Sequence, residues 1–176
     1  MDVVYYVACS LDGYIATADG GVDWLTPFQS KGNDHGFADF YASVDALVMG
    51  SHTYEFALRN PPWQAPDRPS WVFTRRALER AHPTVTLTSE EPAQVIESLY
   101  ARGLKRVWLM GGGELAASFR QRALITHYMI AVVPVLLGSG IPLFASGSRQ
   151  DRLRLVHARP FSSGIVQLEY EPLSVA

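Results

Sequence analysis

The stretch RVWLMGGGELAASF, residues 106–119, is the part of the sequence that decides the fold. Its first five residues favour a β-strand, and the pattern after the glycines favours a helix. Gly111, Gly112 and Gly113 stand where the one changes into the other. Without a Cβ, an anion can come close to the backbone N–H groups, and a helix start favours negative charge. The stretch therefore predicts a site for the diphosphate of a nucleotide cofactor, with a tight turn that binds no ligand as the alternative.

The composition indicates one folded domain spanning residues 1–176. Hydrophobic residues make up 48% of the chain and charged residues 18%, as in globular proteins. The formal net charge is −2, so no overall basic field would attract nucleic acid or an anionic membrane. We therefore expect neither nucleic acid nor a membrane as a partner.

The single cysteine, Cys9, excludes an intramolecular disulfide and favours a reducing compartment. Its apolar surroundings predict a buried, inert thiol. The first residues lack the basic and long apolar segments of a signal peptide. The longest apolar run, residues 129–137, is too short to span a bilayer. These observations predict a cytoplasmic protein.

Strands and helices alternate along most of the sequence, and strands alone follow towards its end. This order predicts an α/β fold with a mostly parallel sheet and an antiparallel C-terminal hairpin. Ligands of such sheets bind outside the carboxyl ends of the strands, which here are the loops after Cys9, Met49 and Met110. Strands are predicted at residues 3–9, 46–49, 71–74, 85–87, 106–110, 127–133, 153–160 and 165–170, and helices at 33–43, 51–58, from Ser89 to Gly103 and after Gly113. Ser51 is the predicted N-cap of its helix, and residues 10–31 are predicted as a long loop.

Four segments resemble, in the same order, those of a known family. They are ACSLDGYIA at residues 8–16, DALVMGSHTYE at 45–55, VWLMGGGEL at 107–115 and PVLLGSGIPLF at 134–144. The family is the reductase domain of bacterial riboflavin biosynthesis, with its dihydrofolate-reductase-like relatives. The resemblance implies a central sheet of eight mainly parallel strands flanked by helices, bound NADPH and a homodimer.

The resemblance also implies a role for particular residues of this chain. The nicotinamide would lie along Ala8, Ile15 and Ala16. The diphosphate and the adenosine would contact Gly50, Ser51, His52 and Thr53, and the adenosine 2′-phosphate would lie beside Thr74, Arg75 and Arg76. The diphosphate would also be held by Gly111, Gly112, Gly113, Glu114 and Leu115. Glu114 is unusual beside a diphosphate, so facing the substrate or capping its helix is the alternative. Ser51 stands where the family often has an arginine, which keeps NADH open as the alternative cofactor.

Two carboxylates are candidates for catalysis. The resemblance to dihydrofolate reductases puts Asp34 in the place of the acid that grips the pterin, whereas a position in the first turn of a helix would explain it without a substrate. Asp12 lies in the SLDG turn, where it could handle a proton or simply accept backbone N–H bonds. The histidines have no metal-ligand spacing with other ligating residues, so no metal is predicted.

These features together predict an NADPH-dependent reductase of a small heterocyclic substrate. The activity most like it is that of 5-amino-6-(5-phosphoribosylamino)uracil reductase in riboflavin biosynthesis. The cysteine and histidine motif of a zinc deaminase does not occur in the sequence. A dihydrofolate or pterin reductase is one alternative, and a nucleotide-binding dimeric module without catalysis is another.

Overall fold

The computed structural model describes residues 1–29, 34–59, 61–147 and 149–173. The four helices of these ranges are α1 (Phe37–Ser43), α2 (Ser51–Leu58), α3 (Pro92–Ala101) and α4 (Gly113–Gln121), and Asp23–Phe28 forms a 3₁₀ helix. The strands are β1 (Asp2–Ser10), β2 (Tyr14–Ala16), β3 (Ala46–Gly50), β4 (Ser70–Phe73), β5 (Val85–Thr88), β6 (Arg106–Gly111), β7 (His127–Val133), β8 (Ile141–Pro142), β9 (Leu153–Pro160) and β10 (Val166–Pro172).

Eight strands form one sheet in the order β5-β4-β3-β6-β1-β7-β10-β9. All neighbours are parallel as far as β7, and the last two strands, β10 and β9, are antiparallel. The predicted α/β class, the mostly parallel sheet and the C-terminal hairpin are therefore confirmed. Strand β6 enters late in the chain and lies between β3 and β1. That position brings the glycines after β6 next to the two earlier loops.

Strand β1 is buried on both faces, as its continuous apolar run predicts. Val3, Tyr5 and Cys9 belong to the apolar cluster that also includes buried residues of α3 and α4. Val4 and Tyr6 belong to the cluster on the other face, beneath α1. Burial first, and the charge of Asp12 second, raise the pKa of Cys9 to about 11, which keeps it a thiol, as expected of an inert cysteine.

Three local predictions are corrected. Helix α1 begins at Phe37 rather than at Asn33, because His35 and Gly36 adopt positive φ angles of 56° and 80° that a right-handed helix cannot include. Asn33 itself lies outside the described residues. Gly50, not Ser51, is the N-cap of α2. The predicted loop at 10–31 contains β2 and the 3₁₀ helix, and residues 30 and 31 are outside the described ranges.

Within those ranges, none of the helices combines the length and the apolar character needed to cross a bilayer.

Candidate functional site

Three of the predicted groups meet at one edge of the sheet. Gly50 at the end of β3 pairs with Phe73 at the end of β4, and Met49 pairs with Gly111 at the end of β6. The segments that follow these strand ends are the start of α2, the arginine pair and the start of α4. They therefore lie side by side at the carboxyl edge, where α/β sheets bind ligands.

The glycines let the two helix starts come close together. A Cβ on Gly50 would lie 3.7 Å from the Gly112 N and 3.9 Å from the Leu115 Cβ. A Cβ on Gly112 would lie 3.8 Å from the Thr53 Oγ1, and one on Gly111 would meet nothing within 4 Å. The absence of side chains thus leaves open space at the point where α2 and α4 begin.

Neither of these helices has a side-chain cap. The N-caps of α2 and α4 are Gly50 and Gly112, and no side chain accepts a hydrogen bond from their first turns in the role of a cap. An uncapped helix start keeps backbone donors for an anion and carries a partial positive charge. Two such starts next to open backbone fit the diphosphate of a dinucleotide, so the residues present suit NADPH or NADH.

The two arginines that follow β4, Arg75 and Arg76, have different surroundings. The Arg76 guanidinium donates to Glu55 at 2.6 Å, and this hydrogen bond is the main reason that the pKa of Glu55 is lowered. Arg75 is exposed and has no partner among the residues that the structure describes. Thr74 Oγ1 accepts a hydrogen bond from the Arg76 N at 2.9 Å and holds this turn. Arg75 is therefore the freer cation for a phosphate.

The remaining residues predicted for the diphosphate lie on the first turns of α2 and α4. Ser51 is half-buried and His52 is exposed on α2, while Glu114 is exposed on α4. Leu115 packs against the core cluster beneath α4, and its Cβ approaches Gly50. Leu115 is thus a packing residue at the helix start, and Glu114 is a solvent-facing carboxylate in its first turn.

The residues predicted for the nicotinamide lie on β1 and in the loop that follows it. Ala8 packs beside the cluster under α1, and Ile15 packs against the cluster on the other face of the sheet. Ala16 is buried, and its carbonyl oxygen would be 2.2 Å from a Cβ on Gly140. Only glycine at position 140 allows the two segments to come this close.

Asp12 binds backbone groups far away in the chain. Its Oδ1 accepts hydrogen bonds from Ser10 Oγ at 2.6 Å and from the Leu137 N at 3.1 Å, and its Oδ2 accepts from the Gly138 N at 2.7 Å. The Ser10 hydroxyl, followed by these two amides, lowers the pKa of Asp12. An ionised carboxylate held in this way favours the backbone-binding alternative over proton donation.

Asp34 also binds backbone N–H groups. Its two oxygens accept from Gly36 at 3.0 Å and from Ala38 at 2.7 Å, and the Ala38 bond is the main cause of its lowered pKa. Asp34 precedes α1 and does not lie in its first turn, which corrects its predicted position. Its carboxylate caps the helix that begins three residues later, and Asp34 is exposed to solvent.

The segment 134–144, which we call the strap, contributes to the family resemblance, but the sequence analysis assigned no site residue to it. The strap supplies the amides that Asp12 binds, and β8 within it pairs with β2. The spacing of Gly138 and Gly140 was the available signal, since both have positive φ. In the described ranges, no group of three or more histidine, cysteine or acidic residues could hold a metal ion.

Comparisons with known proteins identify the family of this chain. The family model described as the RibD C-terminal domain matches residues 2–167. The chain is 38% identical over 168 residues to an uncharacterised protein of Bacillus subtilis, YwjB, covering 95% of both chains. It is 31% identical over 154 residues to the riboflavin biosynthesis protein RibD of Corynebacterium ammoniagenes, covering 78% of this chain and 44% of RibD.

Among solved structures, a proposed riboflavin biosynthesis protein from Shewanella sp. PV-4 superposes with a TM-score of 0.89 at 28% identity, covering 99% of this chain and all of the other. The Thermotoga maritima deaminase/5-amino-6-(5-phosphoribosylamino)uracil reductase has the same fold, with a TM-score of 0.73 at 18% identity over 98% of this chain and 56% of that one. The chain therefore belongs to the RibD C-terminal domain family, the reductase domain of the riboflavin pathway.

Proposed function

We propose that this protein is an NADPH-dependent reductase of a small heterocyclic compound, most like 5-amino-6-(5-phosphoribosylamino)uracil. The observation that carries the proposal is the pair of uncapped helix starts at Gly50 and Gly112, which approach each other at the carboxyl edge of the sheet. The family relationship supports the same conclusion, because RibD proteins contain this domain.

In this proposal the bound cofactor supplies the hydride, and the chain supplies binding and orientation. The first turns of α2 and α4 donate backbone hydrogen bonds to the diphosphate. Arg75, without a partner among the described residues, binds the 2′-phosphate as a permanent cation, while Arg76 stays with Glu55. Ala8 and Ile15 provide small and apolar surface for the nicotinamide.

The substrate side of the proposal lies at the start of α1. Phe37 is 39% exposed, and its ring centroid is 5.5 Å from that of Trp108. Asp34, three residues earlier, is exposed, its carbonyl oxygen accepts from the Phe37 N at 3.0 Å, and its amide partners lower the pKa of its carboxyl. An exposed aromatic ring near a carboxylate suits a planar heterocycle that carries N–H donors.

The test measures the oxidation of NADPH by absorbance in the presence of each member of a panel of substrates. The panel contains the ribosylaminopyrimidine, dihydrofolate and a pterin, and NADH replaces NADPH in a parallel series. We expect turnover with the ribosylaminopyrimidine. Turnover with dihydrofolate alone would favour a pterin reductase. Tight NADPH binding without any turnover would favour the binding module, and failure to bind either cofactor would contradict the reductase altogether.

The homodimer and the cytoplasmic location belong to the same proposal. Every residue of β9 is exposed at the edge of the sheet, and Leu155 and Val156 are among its exposed apolar side chains. An open edge with apolar side chains is suited to contact with another chain. Light scattering of the purified protein should give twice the mass of the chain, and a monomer mass at micromolar concentration would contradict the dimer.

A further inference from the structure

The Asp12 carboxylate makes a charged connection between the loop after β1 and the strap. Its two oxygens accept the N–H groups of Leu137 and Gly138, which are 125 and 126 residues away in the chain. Ser10 fixes the carboxylate from the other side, since its hydroxyl donates to Asp12 and accepts from the Tyr14 N at 2.9 Å. The turn therefore presents a preformed anion to two consecutive amides.

The middle of the strap has little packing of its own. Leu136 is 70% exposed, and Gly138 and Gly140 have positive φ angles of 74° and 156°, so this part has little buried apolar surface. Further contacts to the first loop are the Leu11 N to Val135 O hydrogen bond and the Leu143 N to Gly13 O hydrogen bond, both at 2.8 Å. The ends of the strap pack on the core through Val135, Leu143 and Phe144, whereas its middle is exposed and opens locally at lower cost, so the charged acceptor matters there.

The far end of the strap touches the start of α4. The Pro142 carbonyl oxygen would be 2.7 Å from a Cβ on Gly113, the first residue of that helix. Tyr5 on β1 donates its hydroxyl to the Leu143 carbonyl oxygen at 2.9 Å and anchors the strap there. The strap thus contacts the loop after β1 along its length and the glycine turn near its C-terminal end.

Asp19 in the same loop shows what a purely local turn looks like. Its carboxylate accepts a hydrogen bond from the hydroxyl two residues earlier, Thr17, just as Asp12 does from Ser10. Its pKa is lowered as well, with the Thr17 hydroxyl as the main cause. The other hydrogen bond to its carboxylate comes from the Gly21 N, inside the same turn. Asp19 therefore shares the local chemistry of Asp12 without reaching the strap.

We propose that Asp12 is a positioning residue that aligns the two halves of the cofactor site through the strap. By fixing Leu137 and Gly138, it sets where Pro142 meets Gly113, and so where the start of α4 lies relative to Ala8 and Ile15. This inference rests on the proposed function, since it concerns the site for the nicotinamide and the diphosphate. Asp12 acts on the cofactor through the strap and does not touch the reacting atoms.

The test compares Asp12→Asn with Asp19→Asn in the full-length protein. Asparagine keeps the size of the side chain but replaces one acceptor with a donor that faces an N–H group. In Asp12→Asn we expect the amides of Leu137 and Gly138 to exchange hydrogen about tenfold faster, because a hydrogen bond to a charged group is lost. We also expect the NADPH dissociation constant and KM to rise about tenfold, with kcat at saturating NADPH within about twofold. Asp19→Asn should leave all of these values as in the wild type.

Each other outcome would overturn the inference in a recognisable way. Faster exchange of the strap with unchanged NADPH affinity would make Asp12 a local structural residue only. Unchanged exchange would show that the strap does not depend on Asp12, and faster exchange throughout the sheet would show a general loss of stability. Wild-type protein that binds neither cofactor would overturn the proposed function, while the exchange data would still decide whether Asp12 holds the strap.

A second variant covers the case in which Asp12→Asn does not fold. Ser10→Ala removes the hydroxyl that donates to Asp12 and leaves both strap amides paired with the carboxylate. We expect a smaller rise of the NADPH dissociation constant, about threefold, in the same direction. An unchanged affinity in Ser10→Ala would overturn the inference.

Discussion

Helix α3 and the pair α2 and α4 begin in opposite ways. The N-cap of α3 is Glu91, whose side chain accepts from the backbone of Gln94 while Gln94 binds back to the Glu91 N, and Pro92 occupies the first turn. Helices α2 and α4 begin after Gly50 and Gly112, and neither has a side-chain cap. The first turn of α3 is capped by side chains of its own sequence, whereas the first turns of α2 and α4 keep backbone N–H donors that no capping side chain binds.

The difference follows the position of each helix start in the fold. The start of α3 follows the outermost parallel strand, β5, and is satisfied by a capping box, as expected of a purely structural helix. The starts of α2 and α4 follow the adjacent strands β3 and β6, where the glycine backbones approach each other. Stability favours filling a helix start, and the two neighbouring starts left open are the basis of the proposed diphosphate site.

The largest expected effect on NADPH binding comes from placing a side chain at the uncapped start of α4. Gly112 has φ −77° and ψ −173°, which valine adopts readily, and a Cβ there meets only the Thr53 Oγ1 at 3.8 Å. Gly112→Val should therefore fold but occupy the space of the diphosphate. We expect the NADPH dissociation constant, measured by fluorescence, to rise at least about a hundredfold, since several charge-assisted hydrogen bonds are lost. If Gly112→Val binds NADPH normally, the diphosphate does not lie at this start.

The next effect distinguishes the two arginines beside these starts. Arg75→Ala should weaken NADPH binding about tenfold and leave NADH binding unchanged, because only NADPH carries the 2′-phosphate. Arg76→Ala is the matched control, and we expect a smaller loss because Arg76 is paired with Glu55. Titrations with both cofactors give the four dissociation constants. Equal losses of affinity for NADPH and NADH in Arg75→Ala would contradict the binding of the 2′-phosphate by Arg75.

A substitution at the capped start of α3 should lower the stability of the protein and leave NADPH binding unchanged. Glu91→Ala removes the capping box of α3, and we expect the free energy of unfolding to fall by about 1 kcal/mol. The pair between Glu91 and Arg122 adds little, since both side chains are largely exposed. Urea unfolding measures the loss, and NADPH affinity serves as the control. A change in NADPH affinity in Glu91→Ala would contradict the distinction between a structural helix start at α3 and ligand-binding starts at α2 and α4.

The smallest effect concerns α1, whose start is closed by Asp34. The amides of Ala38 and Gly36 lower the pKa of this carboxyl below its value in the unfolded chain. Its contribution to stability is therefore complete above the unfolded pKa and is lost as the pH falls through the folded pKa. Thermal unfolding of the wild type and of Asp34→Asn should differ at neutral pH and converge as the pH falls through the unfolded pKa and then the folded pKa of this carboxyl. A difference that stays constant over this range would show that the charge of Asp34 does not cap α1.

Much of the fold could be predicted because its signals are local. The strands at His127–Val133 and Leu153–Pro160 have the predicted bounds, since alternation and flanking turn residues mark their ends. The start of α1 could not be predicted, because a positive φ such as that of His35 is a minority conformation for any residue other than glycine. The different surroundings of Arg75 and Arg76 could not be predicted either, since they depend on Glu55, which lies on α2 and is distant in the sequence.

The sequence by itself determined the order of strands and helices, the glycine turn after β6 and the family to which the chain belongs. Each of these depends on residues that are neighbours in the chain, where backbone preference and hydrophobic period act. Only the tertiary structure decided what the two acids do. Asp12 finds its amides 125 and 126 residues away, and Asp34 finds its own at a helix start that the pattern misplaced. A carboxylate binds whichever donors packing brings within about 3 Å, and packing depends on the whole chain.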